Sequence, residues 1–354
     1  MPTDDDWEVQ KTEESEEEEQ DALRYSISYY PADFTLKVYF DKAKSEQLTI
    51  PQFQRSYVWD QVKASKLIES FLLGLPVPGV FLYKEKQTNK LQVIDGQQRI
   101  LSAVRFFRNE FDEKIFRLKN VHPRWNGKTY EELDEADRLQ LDDTVLRATV
   151  VQQLDPEDDS SIYLIFERLN TGGINLNPME IRKCVYSGGH FALLEQLNLL
   201  SEWRGLIGQP KPDKRLRDVE LLLRVTALSE KWEKYRKPMK GFLNDFLASK
   251  NKLNGEEAGR SISDIRSGLS ILLKFAFSQL GEKPFHLYGR LNYAAMDSTL
   301  VAASLALANG VADLKSRYEQ LIADKAYLES VTQDTSDDKV LAFRIQKAID
   351  YLAK

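Results

Sequence analysis

The chain has 354 residues, 42% of them hydrophobic, enough for a substantial core and for two domains. Its net charge of −6 is unevenly spread: residues 1–21 hold eleven Asp/Glu and one Lys, which leaves the other 333 residues at +4, an acidic tail on a mildly basic body. A single cysteine, Cys184, excludes a disulfide framework and a thiolate zinc site, and no apolar run approaches the roughly 18 residues of a membrane helix, so a cytoplasmic protein with no membrane partner is expected.

In chain order, residues 1–24 read as an acidic, disordered tail, either solubilising or a nucleic-acid mimic. A strand or turn over 25–30 and an amphipathic segment over 34–43 follow. Pro51 breaks the next stretch, and Asp60 suits the N-cap of a helix carrying Val62, Leu67, Ile68, Phe71 and Leu72. Residues 80–85 and 91–94 are two β-rich runs around a polar turn, the pattern of a hairpin. Ile100, Leu101, Val104 and Phe107 then fall at helical spacing, predicting a helix over 97–108. A strand at 115–118, an acidic helix near 131–141, a strand over 146–154 and a helix over 160–170 ending at Gly172-Gly173 complete this half. Beyond about 186 strands vanish, and helices are expected near 190–203, 216–235, 240–250, 260–280, 291–308, 311–329 and 336–353. The expected class is α+β, with an α+β domain over 25–185 and an all-α domain over 186–354.

The densest chemistry lies in Asp95-Gly96-Gln97-Gln98-Arg99, where a strand turns into a helix. First-turn N–H groups lack intrahelical acceptors and attract anions. A cation such as Arg99 is unfavourable there unless an anion joins it. The Arg99 fork suits a phosphate, Asp95 suits a phosphate-bridging divalent cation, and Gln98 or Gln97 suits orienting a water. The alternative is a plain turn with exposed polar residues. Gln54-Arg55, with Tyr57 and Trp59, offers a second wall; Trp59 reads better as core than as a base-stacking ring. Asn170, before the Gly172-Gly173 turn, is either a third wall or part of a C-cap. Residues 204–240 hold eleven Lys/Arg against five Asp/Glu, and Lys211, Lys214, Arg215 and Arg217 read as a track for nucleic-acid phosphates or as a solvated face. Gly127-Lys128-Thr129 lacks the upstream glycine of a Walker loop, since position 122 is His. Three scattered histidines do not make a nuclease metal centre.

Ile50-Pro51-x-x-Gln54-Arg55-x-Tyr57-x-Trp59, then Asp95-Gly96-Gln97-Gln98-Arg99, then Leu169-Asn170-x-Gly172-Gly173 resemble the N-terminal domain of GmrSD-type restriction systems over about residues 25–185. That resemblance implies a ParB/sulfiredoxin-like fold and nucleotide binding by Gln54, Arg55, Gly96, Gln97, Arg99 and Asn170. It further implies Mg²⁺-dependent hydrolysis of a nucleoside triphosphate involving Asp95, Gln98 and Arg99. The module would belong to a prokaryotic restriction or anti-phage system, with DNA and a nuclease or other defence subunit as partners. The competing expectation is a non-catalytic DNA-binding or regulatory protein that uses the turn as a ligand sensor. Cleavage of DNA by this chain itself is not expected.

Overall fold

The computed structural model describes residues 27–49, 57–85, 88–153, 165 and 177–354. The acidic tail 1–24, the 51–55 loop with Gln54 and Arg55, and the 160–173 segment with Asn170 lie outside the described residues, Ile165 apart. Two compact units emerge, Ala22–Asn177 and Pro178–Lys354.

The first unit is built on a five-stranded mixed sheet. Its elements are β1 (Ile27–Thr35), α1 (Leu36–Lys44), β2 (Leu48–Thr49), α2 (Gln61–Leu72), β3 (Val80–Lys84), β4 (Leu91–Asp95), α3 (Gln97–Arg108), the small hairpin β5 (Glu110–Phe111) and β6 (Lys114–Ile115), α4 (Glu135–Asp143) and β7 (Val145–Gln153). Strand order is β1-β7-β3-β4-β2. β1 pairs antiparallel with β7 and β3 with β4, whereas β3–β7 and β2–β4 are parallel. Pro31 is tolerated because β1 is an edge strand. Along β7, Leu146, Ala148 and Val150 are buried while Val145 and Arg147 are exposed, the period-two pattern of a strand packed on one face. The core joins these to Tyr39, Ile68, Phe71, Leu82, Val93, Ile100, Val104, Phe106 and Phe116. The Tyr39 hydroxyl donates to the Leu146 carbonyl at 3.0 Å and ties α1 to β7.

Two local expectations change here. The first strand runs on to Thr35, whose hydroxyl accepts the Val38 N–H and opens α1, so Phe34 belongs to the strand. The strand expected at 115–118 pairs only over Lys114–Ile115; Leu118 instead bonds across to Gly127 and Lys128. Asp60 caps α2 as expected, accepting the Lys63 N–H at 2.7 Å.

The second unit is helical. It contains α5 (Pro178–Val185), α6 (Gly189–Leu197), α7 (Ser201–Ile207), α8 (Arg217–Lys231), α9 (Met239–Asn251), α10 (Gly255–Leu280), α11 (Tyr293–Ala308), α12 (Leu314–Ala323), α13 (Lys325–Ser330) and α14 (Asp338–Leu352). In α11 the residues Ala294–Ala303 are all buried, polar Asp297, Ser298 and Thr299 included, so the helix is enclosed on every side there. The unit is not purely helical, because β8 (His286–Leu287) and β9 (Arg290–Leu291) form a two-residue hairpin ahead of α11. The expected 311–329 helix is two helices, since Asp324 ends α12 and caps α13 by accepting the Tyr327 N–H at 2.9 Å. α5 sits with the helices rather than with the sheet: Met179 lies in their core, and Arg182, 1% exposed, bonds Asn244 and Glu220.

Candidate functional site

The β3–β4 hairpin delivers its last residue, Asp95, into a turn made by Gly96, whose φ of +92° lies in the left-handed region. Space as well as backbone requires glycine: a Cβ there would sit 2.3 Å from Val80 Cγ1. α3 therefore starts at Gln97, hard against β3, with Ile100, Ala103, Val104 and Phe107 facing the core. The same turn fixes where Asp95 and Arg99 project.

Arg99 Nη2 donates to Asp95 Oδ2 at 2.9 Å, and Nη1 donates to the Pro78 carbonyl at 3.1 Å. A cation in a first helical turn is thus accommodated by a carboxylate placed just ahead of that turn. The two members differ in access. The Arg99 side chain is 17% exposed and that of Asp95 44% exposed. Gln97 is half-buried beside them.

Gln98 holds a neighbouring segment. Its Oε1 accepts the N–H groups of Val58 and Trp59 at 3.1 and 3.3 Å. One turn on, Ser102 Oγ donates to the Gln98 carbonyl and lies 2.7 Å from the Tyr57 hydroxyl. The serine proton is committed to the carbonyl, so Tyr57 donates to Ser102. The Arg105 guanidinium stands 4.1 Å from the Tyr57 ring centroid and pairs with Asp112 at 2.8 Å. Trp59 packs half-buried against the sheet unit's core, with Lys63 over its ring at 4.9 Å. The chain leaving the Gln54-Arg55 stretch is thereby fastened to the first turns of α3.

The structure gathers Asp95, Gly96, Gln97, Gln98 and Arg99 with Tyr57 and Trp59. Sequence reading missed the Pro78 carbonyl and Ser102; only the Pro76-x-Pro78 break before β3 hinted that a backbone acceptor stands there. No group of three or more His, Cys, Asp or Glu able to hold a metal occurs among the described residues. Asp95 alone fits only a cation whose remaining ligands are phosphate oxygens and water, which is how Mg²⁺ is usually held.

Four arginines of the basic 204–240 stretch, in the helical unit, are engaged in internal pairs. Arg204 pairs with fully buried Asp218 at 2.8 Å, and Arg224 with fully buried Asp297 at 2.6 Å. Arg215 pairs with Glu180, and Arg217 takes Asp213 through Nε and Nη2 at 2.9 and 3.1 Å. Burial raises the Asp213 carboxyl, but the Arg217 hydrogen bonds and charge outweigh it and hold its pKa below the usual value. Of the four residues expected to track nucleic acid, Lys211 and Lys214 are the exposed ones.

Nor are the histidines all idle. His190 Nε2 lies 3.0 Å from Ser261 Oγ, beside a cavity of about 340 Å³ lined by Glu230, Lys250 and Ser261 among others. Burial, then the Lys250 charge, push the His190 pKa down, so the imidazole is neutral at pH 7.

A mixed sheet whose central hairpin feeds through an Asp-Gly turn into a helix bearing Gln98 and Arg99 defines an α+β domain with its polar side chains collected at one strand-to-helix junction. Residues 36–187 match the model of the GmrSD restriction endonuclease N-terminal domain, and this segment is a member of that family. Among curated proteins and among solved structures, nothing matches the chain.

Proposed function

We propose that the sheet unit is a phosphate-binding module that takes a nucleoside triphosphate and hydrolyses it, as one component of a prokaryotic restriction or anti-phage defence system. One observation carries the reading: Asp95 and Arg99 stand side by side at the first turn of α3, 2.9 Å apart and both reached by solvent. The family description, a restriction endonuclease domain, supports the setting. DNA and a nuclease subunit are the partners that setting calls for.

Each residue then has a task. Arg99, joined by Arg55, grips phosphate oxygens through paired N–H donors. Asp95 holds the Mg²⁺ that accompanies the nucleotide, and that ion neutralises charge on the phosphates. Gly96 brings the backbone into the turn, and first-turn N–H groups face the anion. The family resemblance adds Gln54 and Asn170 to the nucleotide-binding residues of this reading. Gln98, proposed from sequence to orient the attacking water, has its Oε1 engaged by Val58 and Trp59. Its task in this reading is to hold the 57–59 segment, and Gln97 becomes the residue that orients the water.

The alternative, a DNA-binding protein using 204–240, has less to draw on, since Arg204, Arg215, Arg217 and Arg224 are paired internally. Turnover and equilibrium binding of ATP, GTP, CTP and UTP by the wild type, Asp95→Ala and Arg99→Ala test the proposal. Hydrolysis of one nucleotide, lost in both variants, is expected; no binding of any of the four overturns it.

A further inference from the structure

In the helical unit one serine hydroxyl is placed unlike several others of this chain. Ser65, Ser70, Ser102 and Ser298 each turn back on their own helix and donate to the carbonyl four residues earlier, the usual habit of a helical serine. Ser261, on the second turn of α10, reaches away from its helix instead. Its Oγ lies 3.0 Å from His190 Nε2 of α6 and 3.4 Å from Lys250 Nζ near the end of α9. Close packing allows the first contact, since a Cβ at Gly189 in the first turn of α6 would stand 2.7 Å from Ile262 Cδ1. An ammonium only donates, so Ser261 Oγ accepts from Lys250. Among the described residues no other acceptor meets the hydroxyl, so the serine proton goes to His190 Nε2. His190 is 6% exposed and neutral at pH 7, which leaves that nitrogen an acceptor with the ring proton on Nδ1. Lys250 is anchored in turn by Glu230 of α8 at 2.8 Å. Ser261 also lines the cavity of about 340 Å³, within the size range of small-molecule sites.

We propose that Ser261 is a nucleophile with His190 as its general base, forming an ester-hydrolysing site in the helical unit that is independent of the phosphate site in the sheet unit. Ser261 Oγ attacks the carbonyl carbon of the ester while its proton passes to His190 Nε2. The Lys250 ammonium beside Oγ offsets the negative charge of the tetrahedral intermediate. The bond to the leaving oxygen then breaks, His190 returns the proton to that oxygen, and an acyl-serine remains. A water, giving its proton to His190, attacks the acyl carbon; Oγ leaves, takes the proton back and frees the carboxylic acid. The lining sets the substrate class: Glu230, Glu257 and Asp264 outnumber Lys250 and Arg260, which favours neutral or cationic esters over anionic ones.

The test is covalent labelling of the full chain with a neutral alkyl fluorophosphonate, in which Oγ bonds to phosphorus as fluoride leaves, read by peptide mass spectrometry. The folded wild type should carry an adduct on Ser261, and heat-unfolded protein should carry none there. His190→Gln should label about a hundredfold more slowly, the loss expected for a missing general base. Glutamine can accept the same hydrogen bond but takes no proton, so a merely structural histidine would leave the rate unchanged. The unfolding temperature of His190→Gln establishes that it is folded. Ser261→Ala, which removes only the hydroxyl, should show no adduct in that peptide. Absence of a Ser261 adduct on the folded wild type overturns the proposal whatever the variants do. Equal labelling rates in the wild type and folded His190→Gln overturn it as well, since the serine would then react without its base.

Discussion

Two regions of this chain carry the same side chains to opposite ends. At the head of α3, Arg99 and Asp95 meet where solvent reaches both. In the helical unit, Arg204–Asp218 and Arg224–Asp297 meet with their carboxylates fully buried. A buried pair cannot exchange its partner without stranding a charge in a medium of low polarity, so it is committed to structure. A half-exposed pair contributes little to stability and leaves its groups available to a ligand. Arginine content alone marked both places as anion sites; only accessibility separates them.

The sharpest way to break the comparison is to remove one partner on each side. Asp297→Ala leaves the Arg224 guanidinium buried without its carboxylate, in a neighbourhood where Asp297 Oδ1 and Arg344 Nε and Nη2 already lack partners. Loss of about 3–5 kcal/mol from the helical unit is expected by thermal unfolding. A loss under about 1 kcal/mol would mean that the buried pair is as dispensable as an exposed one.

Next comes Gly96→Ala, which adds a Cβ into Val80 at a left-handed backbone position. The sheet unit should lose about 2–5 kcal/mol, the sum of the backbone and overpacking costs. A neutral substitution would show that α3 can shift, and with it the Asp95–Arg99 geometry.

A smaller effect is expected from Gln98→Ala, which strips the acceptor from two backbone N–H groups. The Val58 and Trp59 amides should exchange with deuterium about fivefold faster, roughly 1 kcal/mol of local opening. Unchanged protection would detach Gln98 from the latch assigned to it.

The smallest effect concerns pH. His190 has a lower pKa folded than unfolded, because burial and Lys250 disfavour its charged form. The unfolded chain therefore binds the proton first as pH falls below the ordinary histidine value of about 6.5. Stability from this group is full above that pH and is lost as pH drops towards the depressed folded value. The urea midpoint of the helical unit should thus fall between pH 7.5 and pH 5.5 in the wild type, and fall less in His190→Gln. Identical pH dependence in both proteins would remove His190 from that role.

Much of the sheet unit was readable beforehand because its signals are local. The 80–85 and 91–94 runs with a polar turn between them are β3 and β4, and the Ile100–Phe107 spacing is α3. Arg99 looked misplaced on macrodipole grounds, and its partner was four residues away all along. What stayed hidden depends on distant pairing. Arg224 and Asp297 are 73 residues apart, Arg182 and Glu220 are 38 apart, and no periodicity links them. With its partner unseen, Arg224 read as part of one basic stretch over 204–240. The β8–β9 hairpin was missed because two residues per strand leave no alternation to detect.

Whether the head of α3 is a phosphate site is decided most directly by equilibrium binding of nucleoside triphosphates with Mg²⁺ to the wild type and to Arg99→Ala. The wild type should bind at least one of the four nucleotides, and Arg99→Ala should bind it about a hundredfold more weakly, as expected for losing a charge-assisted paired donor, with an unfolding temperature close to the wild type. Equal affinity in the two proteins would contradict the assignment.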